Sequence, residues 1–431
     1  MLKKKVAIIT SLALLLLLAG CAREARHEEV AANNAPTTNS LNSLKPVRVS
    51  AENTDAAEPT VAPAPDGTIF IAWVEHREKK EADVMLSHLD REGRATGEPV
   101  RVNPKAGEAT AWRGDPPTVA VSSEGTVYVG WTNRVEAAGH ANDLYLSTSR
   151  DGGKTFEKPV KVNDDGKKVT HAMHSLAVAA DNRVYVVWLD ERNVVMPPAD
   201  HKGKKMEHME ANREVFFAAS LDGGRTFSRN TRVGQEACPC CKTAVTAGKD
   251  GRVYASWRQV LPGEFRHIAL AASDNEGKTF SAPVIVSDDR WMTASCPVSG
   301  PALSTKDDGA LRVVWYTEGD KGAPGLYWAE SSDQGKTFSE SKPFVKGQAR
   351  GNPLLLANGK SGATVVWESN EGGASRVMSA PLTVDGAASP VPLTTSGELP
   401  SATISGDQLF AGYIAKVNDR RSIWIVRAKQ G

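Results

Sequence analysis

The chain has 431 residues, 40% of them apolar and ten of them tryptophan, with a formal net charge of +1. That apolar content is enough for a sizeable core, and the balanced charge excludes an electrostatic binder of nucleic acid or of an anionic surface. After the N-terminal segment, no apolar stretch reaches the length needed to cross a membrane.

The first twenty-one residues read MLKKKVAIITSLALLLLLAGC, three lysines before a short apolar run and then small residues. This is the pattern of an export signal over residues 1–20. Leu18, Ala19, Gly20 and Cys21 resemble a bacterial lipobox, which implies that Cys21 is lipidated and becomes the mature N-terminus. The alternative is an ordinary secretory signal with an incidental cysteine. Loss of residues 1–20 removes three lysines and no acids, so the net charge moves from +1 to −2. Residues 21–43 carry almost no large apolar side chains and are expected to be a flexible tether. The lipobox implies a protein of the cell envelope, anchored to the membrane by its lipid. Ala22, rather than Asp, after the cysteine points to the outer membrane if the host sorts as enterobacteria do.

From residue 44 to 431 one pattern recurs. Short alternating strands end in an aromatic at Trp73, Trp131, Trp188, Trp257, Trp315, Trp367 and Tyr413, with spacings of 58, 57, 69, 58, 52 and 46. Period-two alternation of Val, Ile, Tyr and Trp between Gly and Asp turns argues for strand, and the spacing is that of a four-stranded blade. The expectation is an all-β fold, a seven-bladed β-propeller over residues 44–431. The last unit stops after three strands at Gly431, so the segment Leu44–Ser50 is expected to close the final blade as its fourth strand.

Between the third and fourth strands lie four similar turns, SRDGGKTF (149–156), SLDGGRTF (220–227), SDNEGKTF (273–280) and SSDQGKTF (331–338). Their Ser and Asp or Asn side chains can accept backbone N–H bonds, the Gly can adopt positive φ, and the Phe can pack inward. That local chemistry accounts for the motif without a catalytic or calcium role. These turns resemble Asp boxes, the bacterial neuraminidase repeat, and so the chain resembles the sialidase-like superfamily. The resemblance implies a glycan-processing site. Carried onto this chain, it is an arginine triad of Arg113, Arg258 and Arg350, Tyr316 and Glu318 as the nucleophile pair, and Asp115 as the acid. Where sialidases carry Arg-Ile-Pro near the start, this chain has Glu58, Pro59 and Thr60.

Aligning the units on their aromatics puts His171, His174, Cys238, Cys240, Cys241 and Cys296 in three consecutive units, all at entries to the first strand. They are expected to converge on one sector of the channel mouth. Three readings stand. Four envelope cysteines make two disulfides most simply. Thiolate, thioether and imidazole together suit a soft metal, copper as Cu(I), or zinc as Zn(II) with fewer Met ligands. A redox-active pair is the third. The long loop MPPADHKGKKMEHME, with Met196, His201, Met206, His208 and Met209, is either a solvated insertion or a metal-trapping lid over the same sector. Glu75, Arg77, Arg134, Asp190, Glu191 and Arg192 are a solvated rim or part of a sugar site. The reading is a membrane-anchored module that binds a small molecule, glycan or metal through its Cys/His cluster, with an envelope protein as a possible partner. The alternative is an exo-acting glycoside hydrolase of sialidase type, and a third reading is a protein-interaction platform.

Overall fold

A computed structural model of the chain describes residues 45–429, except 78–80, 111, 113, 136–139, 196–211, 294–296, 307–308, 321, 348, 360–361 and 372. The expected export signal, Cys21 and the whole of the expected tether lie outside the described residues, as do Arg113, Cys296 and the Met/His-rich loop.

The described strands are antiparallel and form six sheets. Four sheets have four strands each: residues 55–101, 118–161, 302–346, and 398–429 joined by Val47–Arg48. A fifth has five strands within residues 349–392, and the sixth has eight within residues 171–292. The expected seven-bladed propeller is therefore corrected: the sheets are six, unequal in size, and none closes on itself. The physical cause is local. The strand Thr231–Ala237 runs on far enough for Ala237 to pair with Gln259, which merges the third and fourth expected units into one sheet. At the other end, Val47 and Arg48 pair with Ile425 and Trp424, so the first described strand adds to the last sheet.

The periodic aromatics are core residues. Trp73, Trp131, Trp188, Trp257, Trp315 and Trp367 are fully buried and lie among the largest buried side chains. Truncating any one of them to alanine costs about 3–5 kcal/mol. Trp257 shows how tightly they pack, because a Cβ on Gly234 would fall 2.3 Å from its Cζ2. Position 234 therefore has room for glycine alone.

The Asp-box turns carry the hydrogen bonds that their sequence implies. Ser149 Oγ accepts the Gly153 N–H at 2.9 Å, and Asp151 Oδ1 accepts the Thr155 N–H at 2.9 Å. Ser331 and Asp333 repeat this with Gly335 and Thr337. Phe156, Phe227, Phe280 and Phe338 pack against the buried clusters. These turns are staples of the fold, as their local chemistry requires.

The strand entries carry a recurring irregularity. Register shifts interrupt Asp55–Pro63 after Ala57, His171–Val178 after Ala172, and Glu398–Ser405 after Glu398. Each holds a residue at positive φ: Glu58 at 54°, Met173 at 57° and Leu399 at 47°. A bulge of this kind bends the strand and re-aims side chains, and it decides where the candidate site residues point.

Candidate metal centre and the polar groups around it

The cysteine loop begins where the merged sheet crosses from one expected unit to the next. Cys238 N–H donates to Arg258 O at 2.8 Å, continuing the pairing begun at Ala237. Pro239 and Cys240 then turn the chain, and Cys241 N lies 3.4 Å from Cys238 O. Proline fixes φ at the value that the second residue of a tight turn needs.

The turn brings three sulfurs together. Cys241 Sγ lies 3.3 Å from Cys238 Sγ, Cys238 and Cys240 are 3.8 Å apart, and all three fall within 4.8 Å of one another. A disulfide bond is only about 2.05 Å long, and all three cysteines are free. The expected disulfides are corrected on this point for Cys238, Cys240 and Cys241; Cys296 lies outside the described residues. Thiolates bound tetrahedrally at about 2.3 Å from one ion stand about 3.8 Å from each other. The cluster is close enough to chelate a metal ion.

Its electrostatics are uneven. Hydrogen bonds from Cys240 and Cys241 hold the Cys238 thiol well below its ordinary pKa despite burial, and the Arg258 charge adds to the effect. Burial pushes Cys241 the other way. All three are at most 2% exposed and belong to one buried apolar cluster with Met173, Leu189, Val215 and Trp257.

His171 does not lie in that group of sulfurs. Its Nε2 is 3.1 Å from Asp165 Oδ1 and 3.7 Å from Asp190 Oδ2, while Nδ1 donates to Asn142 O at 2.7 Å. Asp165, His171 and Asp190 also lie within chelating distance of each other. Here, however, Asp190 is already occupied. Its Oδ2 accepts Trp188 Nε1 at 2.7 Å and Arg192 Nη2 at 2.8 Å, and its Oδ1 accepts the Arg192 backbone N–H and Nε. Arg192 also bonds Asp164 and Asn230 and stacks on Phe216. Burial opposes ionisation of Asp165, but the Asn163 hydrogen bond and the His171 and Arg192 charges outweigh it and hold its pKa below the ordinary value.

His174 faces another way. Its Nδ1 lies 3.1 Å from buried Asp115 Oδ1, and its Nε2 has no partner among the described residues. Three positions apart and separated by the bulge at Met173, the two histidines serve different neighbours. Lys242, next to Cys241, is half-buried; desolvation lowers its pKa to about 8 against the pull of Asp115.

Part of the proposed sugar site also comes together. Tyr316 Oη donates to Glu318 Oε1 at 2.7 Å. Burial, then this bond to Glu318, raises the tyrosine pKa, and the Arg350 and Arg258 charges oppose the rise. Arg258 is buried, donates to Ser299 O and Tyr316 O at 2.8 Å each, and lies over the Trp291 ring. Arg350 is exposed. Asp115 is engaged by His174.

Sequence reasoning missed Asp165 as the partner of His171 and Thr243 as a clamp beside the cysteines. A signal for Asp165 was available. Val-Asn recurs at 102–103 and 162–163, and both asparagines accept a strand N–H, Val84 for Asn103 and Leu144 for Asn163, while donating to Asp83 and Asp143. The second Val-Asn runs straight into Asp164 and Asp165.

No protein-family model matches the chain, and no curated protein does. Solved structures match in fold. A protein of unknown function from Dyadobacter fermentans matches at 15% identity and a TM-score of 0.53, covering 90% of this chain and 99% of its own. An ulvan lyase of family PL25 matches at 10% identity and 0.56, covering 90% and 97%. The polysaccharide lyase Uly1 matches at 14% and 0.51, covering 85% and 88%. The sialidase matches have TM-scores of 0.43–0.44. The relation is a distant one of fold alone, at 10–15% identity, and two groups of side chains lie close enough together to hold a metal ion.

Proposed function

We propose that the protein is a soft-metal-binding module of the cell envelope, in which Cys238, Cys240 and Cys241 hold one Cu(I) ion. The observation that carries this reading is the convergence of three buried cysteines outside any disulfide, their sulfurs all within 4.8 Å of one another and one pair, Cys238 and Cys240, at the 3.8 Å expected around a single ion. Thiolate donors in a dry apolar pocket favour Cu(I) over harder cations. Hydrogen bonds from Cys240 and Cys241 favour the thiolate form of Cys238, the form that binds metal. The remaining thiols must lose protons on binding, so affinity falls as pH falls. Residues 1–20 act as the signal, Cys21 carries the lipid, and residues 21–43 tether the folded part to the membrane, the outer membrane in this reading. The binding partner is then a metal donor or acceptor, an envelope protein among the candidates.

The test is titration with Cu(I) against a chromophoric competitor under anaerobic conditions. One copper per chain is expected, with affinity falling by about 100-fold or more in Cys240→Ser, since even outer-shell losses cost 10–100-fold. Tight Zn(II) binding with no Cu(I) preference would reassign the ion, and no stoichiometric metal would overturn the reading.

A second reading rests on the Tyr316–Glu318 hydrogen bond beside Arg258 and Arg350. It is an exo-acting glycoside hydrolase of sialidase type, with Tyr316 as nucleophile and Glu318 as its base. The ulvan lyase, an enzyme acting on a glycan, adds support through fold alone. Release of fluorophore from a sialoside, lost in Arg350→Ala, would favour it; no release by the unmodified protein would remove it.

A further inference from the structure

The bulges at the strand entries recur, but their side chains differ. Glu58 bonds His76 at 3.1 Å, and Leu399 is half-buried against the core. Only the bulge in His171–Val178 presents a sulfur. Met173 is 1% exposed and belongs to the same continuous apolar cluster as Cys238, Cys240 and Cys241.

Its backbone is tied to the cysteine loop. Met173 O accepts the Thr243 N–H at 3.1 Å, and Thr243 Oγ1 lies 2.8 Å from the same oxygen. Thr243 is two residues beyond Cys241. The Thr243 hydroxyl also reaches Ser175 Oγ and Val187 O at 3.1 Å each, so one side chain fastens the bulge, its neighbouring strand and the loop. A non-glycine residue at φ 57° persists only where its surroundings determine it, and here the clamp is supplied by the loop that carries the cysteines.

The end of the Met173 side chain lies beside Gly114 and Trp112. A Cβ on Gly114 would lie 3.0 Å from Met173 Cε and 2.8 Å from Trp112 Cζ3. Trp112 is 48% exposed. A half-exposed indole and the buried Met173 methyl therefore flank Gly114.

We infer that Met173 is the fourth ligand of the cysteine centre, a thioether that makes the site select Cu(I) over Zn(II). The inference rests on the metal-binding reading above. Three thiolates alone serve either ion, whereas a thioether adds a soft neutral donor that Cu(I) accepts and Zn(II) disfavours. Met173 closes the site on its Trp112 side without adding charge.

Met173→Leu tests this, because the swap conserves volume and apolarity. Cu(I) affinity should fall by about tenfold or more, with Zn(II) affinity and the Tm of the metal-free protein unchanged, and X-ray absorption should count one fewer sulfur around copper. Unchanged Cu(I) affinity and an unchanged sulfur count in Met173→Leu would overturn the assignment while leaving the cysteine site standing. A parallel fall in Zn(II) affinity and Tm would make Met173 a core residue and likewise overturn it. Absence of Cu(I) binding in the unmodified protein would overturn both readings.

Discussion

Two clusters, both at the eight-stranded sheet or the loops beside it, each bring three metal-ligating side chains within 4.8 Å, and they are opposites. Around His171 the charges are compensated: both Asp190 oxygens are taken, Arg192 sits 2.8 Å from one of them, and His171 Nδ1 is bonded to Asn142. A second cation there would meet an existing one across low-dielectric protein. Around Cys238 the sulfurs have chiefly each other, inside apolar side chains, with Arg258 as the nearby charge. Ligand proximity is common to both, and the difference lies in what surrounds the donors: charged partners around His171, apolar side chains and the other sulfurs around Cys238.

The largest effect that would break this comparison is on stability. Asp190→Ala leaves Arg192, 10% exposed, without its main partner, and removal of one side of a buried pair costs about 3–5 kcal/mol. Urea unfolding should show that loss, with copper affinity unaffected. If Asp190→Ala instead abolished copper binding, the two clusters would not be independent.

Cys240→Ser sharpens the contrast from the other side. The apo protein should lose only about 1–2 kcal/mol, the cost of a buried hydroxyl with imperfect partners, while metal binding collapses. Equal loss of fold and metal would make the cysteines packing residues.

The smallest effect concerns acid. Thr155 holds Asp151, and Thr337 holds Asp333, each at a pKa of about 2 against an ordinary 3.8, and Asp165 is lowered as well. A depressed folded pKa gives stability that is present above the unfolded value and disappears as pH falls through the folded one. Stability should therefore decline between pH 3.8 and about 2, and the Asp151→Asn, Asp333→Asn double variant should flatten that limb of the curve. An unchanged acid limb in the double variant would assign the slope to other carboxylates.

Much of the fold was legible because it repeats. The buried tryptophans, the Asp-box hydrogen bonds and the pairing of Val47–Arg48 with the last strand all follow from patterns read along the chain. The number of sheets was not legible, because it turns on the single pairing of Ala237 with Gln259, which no periodicity announces. At the site, Cys-x-Cys-Cys marked the sulfurs, but the choice between bonded and free thiols depends on how the Pro239 turn spaces them. The separate fates of His171 and His174 depend on the Met173 bulge. A strict alternating strand would also set residues three apart on opposite faces, so sector alignment alone promised too much.

The most direct test of the central claim is X-ray absorption at the copper edge on the protein loaded anaerobically with one equivalent of Cu(I), beside a titration of its thiols. The account predicts a first shell made only of sulfur, and protection on loading of the three thiols of Cys238, Cys240 and Cys241. A shell of nitrogen and oxygen, or copper that leaves those thiols as reactive as before, would contradict it.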